Sequence, residues 1–408
     1  MTARTPRVSP PVALYVHVPF CVSICPYCDF VVVAGSGARG PRNRVAAFVD
    51  AVVVELDLRA DALDAAAGAD RPPLRSVYLG GGTPSLLPIT STARIIETVR
   101  RRFGLAPDAE VTIEANPGPD ERGDPGALRD AGVTRLSIGV QSLDAGELRR
   151  LGRRHSPGDV AQALAEARAA GIASISLDLL YDIPAGSLAT WARTLDAAIA
   201  LEPNHLSLYA LTLDDPAGEG LTGPSGDHLP TTRGARRWRE AARRDQDDDR
   251  AAGMYELADR RLRQAGYDWY ELSNWARPGH RSRHNLAYWL REPYEAVGPG
   301  AHAFDGSVRR WNAARLEGYL AALAPAAGAP HLPPGGSERV DLDMAAAERA
   351  ILGLRTSRGI SGAEAASPPL RDVLPWAIDA GLLEPSGDRF ALTLRGRLLS
   401  NELFARLV

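Results

Sequence analysis

Three cysteines set the terms for this chain. Cys21, Cys25 and Cys28 are the only cysteines in 408 residues, and all lie in the stretch YVHVPFCVSICPYCDF, Tyr15 to Phe30. Their spacing is C-x3-C-x2-C, directly after the apolar run Val12 to Val18. Three thiols on one short loop cannot pair off evenly as disulfides, whereas cysteine thiolates are the usual ligands of iron–sulfur clusters. Three of them hold three irons of a [4Fe-4S] cubane and leave the last iron for another molecule. A structural zinc site with His17 as fourth ligand is the competing reading. Such sites usually draw on two separated cysteine pairs, and no second pair exists here.

Composition narrows the class further. The chain is 45% hydrophobic, enough for a full core, and its length suits two or three domains. Its 47 basic and 50 acidic residues give a net charge of −3, so there is no polybasic footprint for nucleic acid. No apolar run approaches the roughly 18 residues of a membrane span. MTARTPRVSPP at the N-terminus has no apolar signal core, and reduced cysteines fit a cytoplasmic location.

Strands and helices alternate along the first half. Strands are expected at 13–18, 76–79, 111–115, 135–140, 174–180 and 205–211, with helices near 43–63, 88–103, 157–170 and 188–201. Repeating βα units imply parallel strands with right-handed crossovers. The polar residues Glu114, Gln141 and Asp178 fall at or near C-terminal strand ends, the end that carries active sites in barrels.

With Tyr27 ahead of the last cysteine, the motif resembles the signature of the radical S-adenosylmethionine (SAM) enzymes. The flanks YVHVPFC and YCDF resemble the coproporphyrinogen dehydrogenase-like branch and, within it, the HemW group of heme chaperones. The resemblance implies an α/β fold, a partial (β/α)6 barrel with a mostly α, winged-helix-like C-terminal domain. It implies a [4Fe-4S] cluster on Cys21, Cys25 and Cys28, with SAM on the remaining iron. GGGTP after the second strand resembles the segment that holds the SAM amino group, so Gly81, Gly82 and Thr83 are assigned to SAM. Tyr15, Glu114, Gln141, Arg153 and Asp178 complete the implied SAM lining. Singly, each polar residue reads as a helix cap or surface ion pair; together they follow the family's order. One departure is Asp182 in YDIP, where the family has a glycine, which puts the local turn in question.

Residues 214–250 are polar and rich in Gly, Asp and Arg, and read as a long loop or insertion ahead of a helix at 248–264. The arginine cluster 236–244 is offset by the acidic run 245–249 and reads as a solvated helical surface. Four of the seven tryptophans then lie between 269 and 311. There RHNLAYW resembles the HNxxYW motif of the HemW group, which implies heme binding, with His284 as axial ligand and Asn285, Tyr288 and Trp289 beside it; His302 and His280 are weaker candidates. The expected organisation is a flexible N-terminus at 1–11, a core at 12–245 with the insertion 214–245, an aromatic and histidine segment at 246–322, a linker at 323–340 and a C-terminal domain at 341–408.

The resemblance implies a heme chaperone that passes heme to an acceptor protein, with no nucleic-acid partner; a dimer is compatible with the sequence, which leaves the oligomeric state open. Two alternatives remain in view. Oxygen-independent coproporphyrinogen III dehydrogenase, a porphyrin-biosynthesis enzyme, resembles C-x3-C-x2-C-x-C, yet Phe30 stands at the fourth cysteine position; that enzyme also tends to carry more than the twenty residues that precede Cys21 here. A radical SAM methyltransferase of the same branch is the other. No catalytic residue is assigned, and whether SAM is cleaved stays open.

Overall fold

A parallel strand covered on both faces must be apolar almost throughout, and the run at Ala13–Val18 answers that need: Ala13, Leu14, Val16 and Val18 have no exposed surface. The computed structural model describes residues 9–34, 43–213, 216–324 and 329–408. The expectations for residues 1–8, for 214–215 of the insertion and for 325–328 of the linker lie outside them.

Six strands, β1 (Ala13–Val18), β2 (Leu74–Gly81), β3 (Leu105–Ala115), β4 (Arg135–Gln141), β5 (Ser174–Tyr181) and β6 (His205–Ala210), pair in parallel in their order along the chain. Helices stand between them, and their apolar stripes close the outer face: Ile95, Ile96, Val99 and Phe103 of the helix Ile89–Phe103 join the same core as β1. Helix starts are chemically marked. Ser156 and Ser187 each form a capping box, and Asp124 and Asp144 accept from the first turns of their helices. The strand period of two leaves Glu114 between buried Ile113 and Ala115, and Asp178 between buried Leu177 and Leu179. This is the expected partial barrel.

The sheet does not stop there. Beyond β6 lie β8 (Asn274–Ala276) and β7 (Asp268–Glu271), both antiparallel. Beyond β1 lie β9 (Tyr294–Val297), parallel to it, then β10 (His302–Phe304), β11 (Val308–Asn312) and β12 (Gly335–Arg339), all antiparallel. The described residues thus form a twelve-stranded sheet. β12 corrects the linker reading for residues 335–339. Its glycines are there for close approach: a Cβ on Gly335 would sit 1.9 Å from the Trp311 carbonyl oxygen, and one on Gly336 would sit 2.3 Å from the Trp311 ring.

The insertion is also more ordered than a loop. Thr232 caps a helix at Arg233–Arg243. The Asp182 turn is left-handed, with φ 56°, a conformation aspartate tolerates better than most residues. Its carboxylate is held by Arg250 at 2.6 Å.

The C-terminal module runs helix Leu342–Leu354, strand Ile360–Ser361, helices Gly362–Ala365 and Leu370–Asp379, then the hairpin Leu383–Ser386 and Arg389–Leu392. That order is a winged-helix arrangement, with its own core around Leu354, Leu370, Ala377 and Leu403. Arg397 ties it to the barrel through Asp259 at 2.9 Å. Among the described residues no helix is long and apolar enough to cross a membrane.

Candidate functional site

β1 delivers the cysteine loop. After Val18 the chain forms two short parallel strands, Phe20–Cys21 and Val33–Ala34, which close the loop at its base. The Cys28 amide donates to the Cys25 carbonyl oxygen at 3.1 Å, curling the loop between the second and third thiols. The three thiols are free and partly exposed. Two are contacted by donors from the barrel: Thr83 Oγ1 lies 3.5 Å from Cys21 Sγ, and Arg153 Nη1 lies 3.6 Å from Cys25 Sγ. Burial pushes the Cys21 thiol up to about 11 and Cys28 to about 12. A bound metal replaces those protons outright.

The geometry argues against the zinc alternative. His17 Nε2 donates to the Val31 carbonyl oxygen at 2.7 Å, and Nδ1 takes the Tyr15 hydroxyl at 3.2 Å, so both ring nitrogens are engaged. Burial holds its pKa down to about 4. Among the described residues no three His, Cys, Asp or Glu side chains converge on a single ion. Three thiols spread along a loop and touched by cationic and hydroxyl donors fit a multi-iron cluster instead, in which each thiolate has its own iron.

Behind the loop the assigned residues fall into separate bonded groups. Glu114 accepts from the Tyr78 hydroxyl at 2.8 Å and from the Gly81 amide at 2.9 Å. Desolvation raises its pKa to about 7, with Asp178 adding to the rise. Asp178 takes the Ser137 hydroxyl at 2.9 Å, and burial raises its pKa also. Gln141 ends β4 with φ 67°, a left-handed kink in a non-glycine residue. Arg153 donates through Nη2 to Asn116 Oδ1 and to the Gly139 carbonyl oxygen, each at 2.6 Å. The Arg153 Nε is buried without a partner among the described residues. The glycines have a steric reason visible in the fold. A Cβ on Gly81, at φ +108°, would lie 2.4 Å from the His17 ring, and one on Gly82 would lie 2.7 Å from the Phe20 carbonyl oxygen. They admit β1 and its histidine at close range.

Asn116 was missed, although it sits in the EANP motif two residues after Glu114. It donates to Thr83 Oγ1 at 3.1 Å and to Glu121 at 2.7 Å, and so joins the Cys21 and Cys25 contacts into one chain of bonds.

Next to the loop a cavity of about 360 Å³ opens between Asp29–Val31, Tyr15, Tyr288, Tyr294 and the imidazoles of His228 and His302. His302 Nε2 is 2.8 Å from one oxygen of Asp227, and His228 Nδ1 is 3.0 Å from the other. The Trp311 ring stacks on His302 with centroids 6.0 Å apart. The His302 side chain is 45% exposed, which leaves it reachable from the cavity. His284 is unlike it. It is 1% exposed, with Nδ1 3.1 Å from Ser76 Oγ and Nε2 2.8 Å from the Tyr288 hydroxyl. Burial pushes its pKa down to about 3. Of the four residues assigned to heme, Tyr288 lines the cavity, whereas Trp289 packs under the Arg355 guanidinium at 4.2 Å and the Asn285 amide donates to the helix cap Ser282. Asp227 and His228 carried no sequence signal, because neither belongs to any periodic or spaced pattern.

Comparison with known proteins places this geometry. Residues 15–198 match the radical SAM superfamily, and residues 340–399 match the HemN C-terminal domain. The chain is 39% identical to the heme chaperone HemW of Mycobacterium tuberculosis (strain CDC 1551 / Oshkosh), covering 99% of this chain and 96% of that protein. The chain belongs to the HemW family. HemW of Bacillus subtilis (strain 168) is 30% identical over 96% of this chain and 97% of its own length. HemW of Escherichia coli (strain K12) is 37% identical over 74% of this chain and 73% of its own. Among solved structures, coproporphyrinogen III oxidase (HemN) from Escherichia coli superposes with a TM-score of 0.78 at 23% identity, covering 99% of this chain and 91% of that one. That likeness establishes a shared fold. Membership of a radical SAM family implies a [4Fe-4S] cluster and SAM, and the HemW name implies heme.

Proposed function

We propose that this protein is a heme chaperone: it holds a [4Fe-4S] cluster on Cys21, Cys25 and Cys28, binds SAM beside it, and carries heme to an acceptor protein in the cytoplasm. The observation that carries the reading is the aromatic cavity beside the cysteine loop, with an accessible imidazole at its edge. When bound, the cluster supplies one-electron chemistry and an iron site open to the methionine end of SAM. This chain's residues supply recognition. The buried Arg153 Nε is a donor for a carboxylate, and Glu114, once ionised, is an acceptor for an ammonium or ribose hydroxyls. Phe30, Tyr15, Tyr288 and Tyr294 offer rings to cover an apolar macrocycle, while Phe30, 59% exposed, keeps the pocket open enough for release.

For the heme iron, His302 is the better ligand on this geometry, and the His284 assignment moves to second place. Both His284 nitrogens are already bonded, whereas His302 spends one nitrogen on Asp227. A carboxylate on the far nitrogen is the usual partner of a ligating histidine. Heme titration of anaerobically purified protein decides between them. His302→Ala is expected to weaken heme binding and change its spectrum, and His284→Ala to leave the spectrum alone. The reverse result restores His284. The enzyme reading stays testable alongside: turnover of coproporphyrinogen III with SAM and a reductant would replace the chaperone by the dehydrogenase.

A further inference from the structure

The helix Arg233–Arg243 has no role in the reading so far, yet it leans on the cysteine loop. Arg239 belongs to the arginine cluster that reads as solvated in sequence, but it is 3% exposed. Its Nε donates to the Pro26 carbonyl oxygen at 3.2 Å, and its Nη2 to those of Tyr27 at 3.2 Å and Cys28 at 2.8 Å. Three successive carbonyls of the loop therefore converge on one guanidinium. The contact is braced on both sides. Trp238 packs on Tyr27 with ring centroids 6.3 Å apart, and its Nε1 donates to the Arg150 carbonyl oxygen at 3.1 Å. Ala242 enters the apolar cluster of Leu151, Leu180 and Ile183.

We propose that Arg239 is a positioning residue for the iron–sulfur loop, and that the insertion helix is a clasp holding Cys25 to Cys28 in ligating shape before iron arrives. The inference rests on the cluster reading of the three cysteines. A planar fork of donors suits an arc of carbonyls, and a guanidinium keeps its charge at any accessible pH. That fixed charge beside three thiolates favours the more reduced, more negative cluster state, since nearby charge and hydrogen bonds set cluster potentials.

Two measurements on full-length Arg239→Gln and Arg239→Lys test this. In iron-free protein, amide hydrogen exchange over residues 21–31 is expected to run about tenfold faster or more in Arg239→Gln, as loss of charge-assisted hydrogen bonds predicts. After reconstitution to equal iron content, the cluster potential of Arg239→Gln is expected to be more negative than wild type. Arg239→Lys keeps the charge without the fork, so it should restore the potential while the loop still exchanges fast. Wild-type exchange in Arg239→Gln would overturn the clasp. Unchanged potential would remove its electrostatic half. If Arg239→Gln melts early, Arg239→Lys decides the clasp by its exchange alone. If wild-type protein takes up no iron–sulfur cluster at all, the cluster reading fails by itself, while the exchange measurement still reads the clasp.

Discussion

The cysteine loop and the aromatic cavity adjoin each other through Asp29–Val31, yet they are built in opposite ways. On the loop side nearly every polar group is already tied down. Thr83, Asn116 and Arg153 run as one chain of bonds from Cys21 to Cys25. On the cavity side His302 and Phe30 are reachable, and the lining comes from segments far apart: Asp227 from the insertion, His302 from β10, Phe30 from the loop. The first arrangement suits a resident group that must not leave. The second suits a passenger.

That contrast can be broken most severely at the cysteines. Cys25→Ala should abolish iron–sulfur absorbance after anaerobic reconstitution while leaving the apo melting transition nearly unchanged, because the free thiol is only partly buried. Cluster retention would show that the two sides do not divide as resident and passenger. On the cavity side, Asp227→Asn removes the charged partner of His302, and heme affinity should fall by about 10- to 100-fold with the cluster intact. A loss of cluster in the same variant would mean that the two regions are one site.

Gly81→Ala attacks the packed side sterically. A Cβ there meets the His17 ring and a backbone at φ +108°, so apo stability should drop by about 2–4 kcal/mol in denaturant titration. A neutral result would mean that the His17 ring can swing away. The smallest effect is a pH slope. The folded-state pKa of Glu114 is raised from 4.5 to about 7. Its protonated form is therefore favoured by folding, and the stability it contributes is present below the unfolded value and lost as pH rises through the folded one. Apo wild type minus Glu114→Gln should show that loss between pH 4.5 and about 7, with an upper bound of about 3 kcal/mol. A flat difference would show that the barrel interior is wetter than its packing indicates.

The barrel strands were legible because burial on two faces forces near-continuous apolar runs, and the cysteines because ligation forces their spacing. β9 to β12 were not legible. They are short, and β12 begins with two glycines whose purpose is visible only against Trp311. Arg239 was misread for a related reason. An arginine that caps backbone carbonyls of a distant loop looks, in sequence, like one more charge on a wet helix. The family resemblance points to His284, and only the folded packing engages its two nitrogens, with Ser76 and Tyr288.

The insertion is anchored twice. Near one end, the Ala314 amide donates to the Gly226 carbonyl oxygen at 2.8 Å and Trp311 Nε1 to that of Ser225 at 3.2 Å; near the other, Arg239 grips the cysteine loop. Between those moorings the chain has little licence to shorten, since pulling in slack would tug Asp227 from His302 or Arg239 from Cys28. Slack is available before the first mooring, at the exposed residues Ala217 to Glu219. A tag or fluorophore placed there should ride harmlessly, whereas trimming residues 229–232 should disturb passenger and resident together.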